Sequence, residues 1–475
     1  MTDRRSWHGH VENDDLGAGD EGARDPERLP RDPPVVTEPD REPEPSPPLV
    51  PGQIYGALRA VPGSHFADDV GPVLPLGITY GWGLGQYRAD PDACLHQLDT
   101  IATAGYEFVR TWFSLGWYPY WRGHEVAPIA FTGQDDVRVE AWPDYDDMVA
   151  GYCRALDERA LRLFWSCGDL QMFDRNEAQL TTWAQTVGQV IAVAAPGVMI
   201  FADVNEAWQN WLYDSEPDDP ADLDRLVIDP LVDAYALPCL RLRSAYSEEI
   251  VDLDRWGRPP LWQKHGHRGH FEQDHVSAIR HARGITYDEG HGRPVSRLGV
   301  ESEPGGPSRD LIGADVMGPI ETPEALCLLA VANFMAPAAF VFHTHRGVRS
   351  WLGPIADEPG FEVVPNVRRH LPDDLQSAFR LIVHGNRDES PLTDTDGFPE
   401  AADRRIDSVV AADDGRFVTL VYSLARHTRL RAVRALSCRI IVPDTGEYDD
   451  VTMTANAELD LEYACGRLIV GRIDD

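Results

Sequence analysis

Between residues 76 and 354 the sequence alternates apolar, strand-like segments with segments of helical spacing, and this alternation restricts the fold more than any other feature. Successive strand and helix units joined by right-handed crossovers build a parallel sheet. The strand-like segments are almost continuously apolar, which indicates that both faces of the sheet are covered. The predicted strands are 76–82, 106–113, 161–167, 198–206, a weak strand within 230–246, 260–267, 297–304 and 338–345, and the predicted helices are 90–105, 144–160, 180–195 and 322–336.

Seven clear strands and one weak strand predict an α/β fold of the (β/α)8 type, a TIM barrel. The segment is close in length to the ~250 residues of such barrels. A doubly wound parallel sheet is the alternative. No GxGxxG or GxxxxGK(S/T) motif follows a strand, so nucleotide binding has no support in the sequence.

The regions that flank the barrel differ from it in composition. Residues 1–52 form an acidic, Pro-rich arm, which we expect to be disordered because it cannot bury enough apolar surface. Residues 53–380 would hold an N-terminal hairpin, the barrel and a closing helix near 365–380. Residues 381–475 alternate apolar and polar side chains around turns at Gly415 and Gly446, which predicts a small antiparallel β-sandwich.

The charge of the chain excludes two classes of partner. It carries 78 acidic and 43 basic side chains, for a formal net charge of −35. Nucleic-acid phosphates and anionic lipids repel such a chain, so we expect no nucleic acid and no membrane as partner. Lys264 is the only lysine, so nearly all of the basic side chains are arginine. An acidic composition with so little lysine fits a halophilic source and a GC-rich genome equally well.

The cysteines and the N-terminal residues indicate the cellular compartment in which the protein is expected. The seven cysteines are scattered without a CxxC pair, which is typical of reduced, mostly buried thiols. The opening residues, MTDRRSWHGH, contain no apolar run, so we expect no secretory signal and a cytoplasmic or virion-associated protein. The apolar stretch 325–342 contains Asn333 and Pro337, which favours a buried helix followed by a strand over a membrane span.

Two glutamates follow predicted strands at positions where barrels carry chemistry, the carboxyl ends. The fourth strand ends in Asn205-Glu206, and the seventh ends in Glu303 before a PGGP loop. Such a pair can cleave a glycosidic bond, because one carboxyl group protonates the leaving oxygen while the other attacks or stabilises the anomeric carbon. Glu301 competes with Glu303, which lies nearer the barrel mouth. The alternative for the pair is two solvated loop carboxylates.

Arginine and aromatic side chains occupy the same strand ends. Arg110 ends the second strand, where it can hydrogen-bond a catalytic carboxylate and lower its pKa, or form a salt bridge inside the mouth. Flat rings stack on the C–H faces of sugars, although core packing explains any single ring as well. The aromatic candidates for a carbohydrate groove are Trp82, Trp112, Trp117, Tyr118, Tyr120, Trp121, Trp208 and Trp211.

Histidine pairs offer a competing interpretation. His265 with His267, and His343 with His345, each place two imidazoles on one strand face, and Asp169 or Glu303 could complete a zinc site. Barrel metalloenzymes of the amidohydrolase kind carry HxH on the first strand, and residues 76–82 contain no histidine. We therefore expect no metal and no cofactor. The histidines then contact sugar hydroxyls or serve only in packing, and Asp169 is a further candidate for a contact to the substrate.

Taken together, these motifs resemble clan A of the retaining glycoside hydrolases, the cellulase-like barrel group. The resemblance rests on Arg110, Asn205-Glu206, the histidine-bearing sixth strand and Glu303 in SEPGGP, and covers about residues 55–355. The segments GALRAVPGSHFADD, SLGWYPYW and FVFHTHRGV also resemble cellulase-like proteins of bacteria and phages. The resemblance implies cleavage of a β-linked oligo- or polysaccharide with Glu206 as acid/base, Glu303 as nucleophile and Asn205 bound to the sugar 2-hydroxyl.

Three strand ends depart from the pattern of that group. The third ends in Cys167-Gly168-Asp169 where these enzymes often have His, the sixth lacks a Tyr, and the eighth carries His343 and His345 in place of a Trp. These departures leave a second hypothesis open. The chain would then be a non-catalytic glycan-binding or virion-associated protein, which its N-terminal arm tethers to an assembly.

Overall fold

The structure is a computed structural model in which Leu49–Asp475 forms one compact unit. The predicted N-terminal arm, 1–52, lies outside the residues that the structure describes. The described residues are 53–61, 64–114, 120–121, 124–125, 131–132, 138–139, 142–167, 177–204, 224–244, 262–264, 299–301, 323–335, 338–343, 345–348, 353–382, 390–395, 404–423, 427–462 and 466–474.

A small antiparallel sheet precedes the barrel, where the sequence predicts a hairpin. Its strands are β1 (Arg59–Val61), β2 (His65–Ala67) and β3 (Pro72–Val73). The strands that follow, up to the C-terminal region, are β4 (Leu76–Thr79), β5 (Phe108–Trp112), β6 (Tyr120–Trp121), β7 (His124–Glu125), β8 (Phe131–Thr132), β9 (Arg138–Val139), β10 (Arg162–Cys167), β11 (Met199–Val204), β12 (Leu240–Arg241), β13 (Arg243–Ser244), β14 (Trp262–Lys264), β15 (Gly299–Glu301) and β16 (Ala338–Phe342).

The central sheet is parallel and follows the order of the sequence, as a barrel requires. Its order is β12-β11-β10-β5-β4-β16-β15-β14-β13. Leu240–Arg241 pairs with the fourth barrel strand, and Arg243–Ser244 pairs with the sixth, so β12 and β13 are two halves of one fifth strand. The last strand, β16, pairs with the first, β4. The ring is therefore that of a TIM barrel, and the doubly wound alternative is excluded by the sheet order.

The barrel helices confirm the helical segments predicted from the sequence, and further helices lie between them. Helix α2 is typical: Asp90 accepts a hydrogen bond from the Ala93 N–H at 3.1 Å, and Gly105 ends the helix with φ of 101°. The helices are α1 (Gly83–Ala89), α2 (Pro91–Ala104), α3 (Tyr145–Asp157), α4 (Glu177–Ala194), α5 (Asp229–Tyr235, after a π-helical turn Asp224–Ile228), α6 (Pro323–Met335), α7 (His345–Val348), α8 (Val363–Arg368, after a 3-10 turn Ile355–Asp357) and α9 (Leu375–Ala378).

Two boundaries predicted from the sequence are wrong. The first strand ends at Thr79 instead of residue 82, because Gly81 to Gly83 turn the chain into helix α1. The single closing helix near 365–380 is instead α8 and α9, followed from Phe379 by a strand. Pro372 lies between the two helices, and proline interrupts a helix because it lacks the N–H donor and restricts the preceding residue.

Alternate residues of the barrel strands pack in two different cores. One set, which includes Val109, Leu163 and Phe340, packs outward against the helices. The other set, which includes Phe108 and Phe164, fills the barrel interior. This interior core also contains Ile54, Leu58, Phe66 and Val73 from the N-terminal segment, so the small sheet β1–β3 closes the amino-terminal end of the barrel.

The same end of the barrel contains a buried ion pair. Glu107 Oε1 accepts a hydrogen bond from Arg368 Nη2 of helix α8 at 2.9 Å, and its Oε2 accepts the Leu76 N–H at 2.9 Å. Arg368 also donates from Nε to the Leu74 carbonyl. Burial outweighs these partners and raises the pKa of Glu107 from 4.5 to about 7.

The C-terminal region is a β-sandwich, as the sequence predicts. A six-stranded sheet and a three-stranded sheet, both antiparallel, share a core that includes Phe417, Leu430 and Leu461. The opposite face of the larger sheet packs on the barrel core through Val418 and Leu468. The strands are β17 (Phe379–Ile382), β18 (Leu392–Asp394), β19 (Arg404–Ala411), β20 (Arg416–Ser423), β21 (His427–Ala432), β22 (Leu436–Ile441), β23 (Tyr448–Met453), β24 (Glu458–Glu462) and β25 (Gly466–Ile473).

The cysteines in the described part of the chain are mostly buried, as their scattered pattern predicts. Six of these described cysteines carry free thiols, and all but Cys239 are buried. Burial raises the pKa of the Cys94 thiol to about 12, which keeps it protonated and unreactive. Among the described helices none is long and apolar enough to cross a membrane. The stretch 325–342 forms parts of helix α6 and strand β16 instead.

Candidate functional site

The inward-facing side chains change from apolar to polar toward the carboxyl ends of the first four barrel strands. Phe108, Phe164 and Phe201 fill the interior at lower levels. Above them, Trp112, Ser166 and Asp203 lie side by side on β5, β10 and β11, because Ser166 is in register with both neighbours. We call these three residues the upper layer. A polar layer at this end of a barrel is where barrel proteins bind and react with ligands.

Arg110 and Asp203 form an ion pair inside the barrel. Arg110 Nη2 lies 3.3 Å from Asp203 Oδ2, and both side chains are fully buried. The guanidinium extends across the intervening strand β10, with its Cζ 5.3 Å from the centre of the Phe164 ring. Thus Arg110 makes the salt bridge inside the mouth that was one of its two predicted roles. Its contact with a catalytic glutamate stays a prediction.

Thr79 and His343 are joined across the seam where the eighth strand meets the first. Thr79 Oγ1 lies 2.8 Å from His343 Nδ1, and both side chains are buried. The bond fixes the orientation of the imidazole and occupies its Nδ1 atom. His343, a predicted substrate contact, is therefore part of the polar wall of the barrel mouth rather than of the apolar core.

A glycine just after the first strand makes room for Trp112. A Cβ atom at Gly81 would lie 1.7 Å from Trp112 Cζ3, so only glycine permits the indole to occupy this position. On the strand itself, a Cβ atom at Gly77 would lie 2.1 Å from Cε2 of the Phe108 ring. These two glycines thus allow the two aromatic rings of the second strand to enter the barrel.

Behind the upper layer, strand β5 is held by buried hydroxyl groups on its outer face. Thr111 Oγ1 lies 2.9 Å from Tyr152 Oη and donates to the Tyr80 carbonyl at 3.1 Å. Burial raises the pKa of both tyrosines well above the usual range, so their hydroxyl groups stay neutral. This network fixes the position of the strand that carries Arg110 and Trp112.

Only part of the predicted site falls within the described residues. Arg110 and His343 line the mouth. Trp82 lies just before helix α1 and is only 3% exposed, which is typical of a ring packed in a wall rather than of an open platform. For Trp121 and His345 only the backbone is described. The predicted residues outside the described part of the chain are Trp117, Tyr118, Asp169, Asn205, Glu206, Trp208, Trp211, His265, His267 and Glu303.

The two candidate glutamates lie close in sequence to the ends of described strands. The fourth barrel strand ends at Val204, two residues before Glu206. The seventh ends at Glu301, two residues before Glu303. The backbone of Glu301 is in register with Lys264 and Phe340. Their catalytic roles stay predictions.

Three polar residues of the mouth were missed as site candidates: Thr79, Ser166 and Asp203. A signal for them exists in the sequence, since each is a polar residue within two positions of the end of an apolar strand and shares its parity with buried aromatic or small residues. Among the described residues, no group of three or more His, Cys, Asp or Glu could hold a metal ion. The pair His265 and His267 is outside that part of the chain.

Comparison with known proteins shows similarity of fold. No protein-family model matches the sequence, and no curated protein matches it either. Among solved structures, a glycoside hydrolase of family 5 from Bacteroides vulgatus has 11% sequence identity and a TM-score of 0.59, over 88% of this chain and 94% of that chain. A second structure, described as a glycoside hydrolase, has 10% identity and a TM-score of 0.60, over 88% and 97%.

The structural similarity to family 5 hydrolases confirms the resemblance to the cellulase-like barrels of clan A at the level of the fold. Identity near one residue in ten establishes no activity, because one barrel fold hosts many reactions.

Proposed function

We propose that the protein is a glycoside hydrolase that cleaves a β-linked oligo- or polysaccharide with retention of configuration. In this proposal Glu206 is the acid/base, Glu303 is the nucleophile and Asn205 binds the sugar 2-hydroxyl. The observation that carries the proposal is the position of the two glutamates. In the sequence each follows the last residue of a described barrel strand by two positions, Glu206 the fourth and Glu303 the seventh. The carboxyl ends of barrel strands are where this fold carries its chemistry, which supports the proposal.

The chemistry divides between the two carboxyl groups. Glu303 attacks the anomeric carbon while Glu206 protonates the leaving oxygen, and a covalent glycosyl ester forms. Glu206 then removes a proton from water, which attacks the anomeric carbon and releases Glu303. This mechanism requires the two carboxyl groups to lie about 5–5.5 Å apart, whereas inversion requires ~6.5–9.5 Å.

The polar upper layer supports a neutral, hydroxyl-rich substrate. The charges of Arg110 and Asp203 compensate each other inside the barrel, so this pair adds no net charge that would attract an ionic ligand. The Ser166 hydroxyl and the Trp112 indole N–H are the described groups there that could hydrogen-bond a sugar. Trp117, Trp121 and Trp208 are the proposed stacking surfaces, and Asp169, His265, His267 and His345 are proposed to contact sugar hydroxyls.

The test is hydrolysis of a panel of chromogenic β-glycosides by the purified protein and its variants. Glu206→Gln and Glu303→Gln keep the shape of each side chain but remove the acid or the nucleophile, so each should reduce turnover by at least ~1000-fold. Glu301→Gln is the matched control, because it removes a neighbouring carboxylate of the same strand and should retain turnover. Undiminished turnover in both Glu206→Gln and Glu303→Gln would overturn the assignment.

The second hypothesis, a glycan-binding protein without hydrolase activity, rests on the departures at the third, sixth and eighth strand ends. It predicts that the wild-type protein binds glycans while no glycoside in the panel is cleaved. Binding measured beside hydrolysis therefore separates the two functions.

A further inference from the structure

Two polar atoms of the upper layer have no hydrogen-bond partner within the part of the protein that the structure describes. They are Ser166 Oγ and Trp112 Nε1, on side chains that are 0% and 4% exposed. A buried polar group without a partner lowers stability, so proteins seldom keep one unless a ligand or water satisfies it. Two such atoms on adjacent strands are therefore informative.

Both side chains face the barrel interior. Ser166 lies two residues after Phe164, whose ring packs against Phe108 and Phe201 inside the barrel, and residues two apart point to the same face of a strand. Ser166 is also in register with Trp112 on one side and with Asp203 on the other. The hydroxyl and the indole thus belong to one level of the interior.

The indole N–H is directed away from the first strand. The atoms of Trp112 nearest to Gly81 are Cζ3 and Cε3, on the edge of the ring system opposite Nε1. The N–H can only donate, and the serine hydroxyl can donate or accept. The ligand must therefore present a lone pair to the indole N–H. A hydroxyl oxygen, which accepts and also carries a proton to donate, suits both groups.

From this geometry we propose that Trp112 Nε1 and Ser166 Oγ form a polar subsite that binds hydroxyl groups of one sugar ring. The inference rests on the proposed function for the identity of the ligand as a sugar. Arg110 does not supply this contact: its Cζ lies 5.6 Å from the centre of the Trp112 ring, but its described hydrogen bond goes to Asp203, and neither Trp112 Nε1 nor Ser166 Oγ has a partner among the described residues. Ser166 and Trp112 thereby become residues that determine which sugar the protein selects, because a site built around a hydroxyl rejects the analogue that lacks it.

The proposal predicts an unusual pairing of effects for Ser166→Ala. The substitution removes a buried hydroxyl that has no protein partner among the described residues, so the melting temperature should stay unchanged or rise. Sugar affinity should fall by about ten-fold, because the sugar hydroxyl loses its partner. Trp112→Phe, which removes the N–H but keeps a ring, should weaken the same sugar by a similar factor.

Ser408→Ala is the matched control. Ser408 is also a buried strand serine, but its Oγ lies 2.7 Å from Thr419 Oγ1 in the C-terminal sandwich. This substitution leaves Thr419 without its partner, so it should lower the melting temperature and leave sugar affinity unchanged. A purely structural role for Ser166 would make Ser166→Ala behave like this control.

The deciding experiment is calorimetric titration of the intact wild-type protein and the Ser166→Ala variant with glucose, mannose, galactose and their singly deoxygenated analogues. For one hydroxyl position, we expect the deoxy sugar to bind the wild type about ten-fold more weakly than the parent sugar does. The Ser166→Ala variant should bind the deoxy and parent sugars equally, which is coupling in a double-mutant cycle. Equal discrimination by both proteins, or no binding of any sugar, would overturn the subsite. Binding with this coupling but without hydrolysis would overturn only the proposed hydrolase activity.

Discussion

Arg110 and Asp203 lie on strands separated by β10, yet their charged groups meet at 3.3 Å with no exposure of either side chain. The pair spans the floor of the barrel mouth and compensates two charges that would each be costly to bury alone. The two opposite charges contribute no net charge to the barrel mouth.

Breaking this pair should destabilise the protein strongly. Asp203→Asn leaves the Arg110 charge buried without its carboxylate, and we expect the free energy of unfolding in urea to fall by about 3–5 kcal/mol. The exposed pair Arg431–Glu458, 3.0 Å apart, supplies the control, since Glu458→Gln should cost no more than about 1 kcal/mol. Equal losses in both variants would contradict the structural role given to Asp203.

The ion pair at the opposite end of the barrel predicts a pH dependence. The pKa of Glu107 is about 7 in the folded protein against 4.5 ordinarily, so the folded state holds the proton more tightly than the unfolded state. Its contribution to stability is therefore complete below about pH 4.5 and is lost as the pH rises through about 7. Burial is the main cause, Asp68 and Asp373 add to it, and Arg368 and the Leu76 N–H oppose it.

Glu107→Gln cannot ionise and should lose this dependence. The free energy of unfolding of the wild type minus that of the variant should decrease from about pH 4.5 to about pH 8. Urea titrations of both proteins across that range measure the difference directly. An increase with pH would mean that Arg368, and not burial, dominates the pKa of Glu107.

Glycine at position 81 is required by the Trp112 ring. Gly81→Ala would place Cβ 1.7 Å from Trp112 Cζ3, and we expect overpacking to reduce the free energy of unfolding by about 1–3 kcal/mol. Gly71→Ala is the control, since no atom lies within 4 Å of its added Cβ, and it should change stability by no more than about 0.5 kcal/mol. A stable Gly81→Ala protein would show that the indole can occupy another position.

Glu324 connects the barrel to the sandwich. Its Oε1 accepts the Gly466 N–H at 3.1 Å and lies 3.3 Å from Arg467 Nη1. Glu324→Ala should therefore lower the free energy of unfolding by about 1–3 kcal/mol. The barrel and the sandwich should still unfold together, because their apolar contact remains. Separate transitions by tryptophan fluorescence and circular dichroism would contradict a single cooperative unit.

The sequence predicts the barrel because its strands are apolar on both faces and alternate with helices that have clear boundaries. The fifth strand is weak for a physical reason: it pairs with its two neighbours through separate halves, Leu240–Arg241 and Arg243–Ser244. The closing helix is misjudged because the apolar spacing continues across Pro372. Local pattern alone does not decide between an interrupted helix and a continuous one.

The predictable part of the site is its location at strand ends. The pairings within it depend on register, which a single sequence does not contain. Arg110 could meet any carboxylate of the mouth, and its contact with Asp203 follows from the alignment of three strands. The bond between Thr79 and His343 likewise joins residues that are 264 positions apart. Only the closure of the eighth strand on the first brings them together.

The central claim, that Glu303 forms a covalent bond to the sugar, is tested most directly by trapping that intermediate. The glycoside that is cleaved fastest in the panel is prepared as its 2-deoxy-2-fluoro analogue with an activated leaving group, and the labelled protein is digested and analysed by mass spectrometry. We predict one fluoroglycosyl group on the peptide that contains Glu303, and none in Glu303→Gln. A label on Glu301 or another residue, or hydrolysis without any label, would contradict the account.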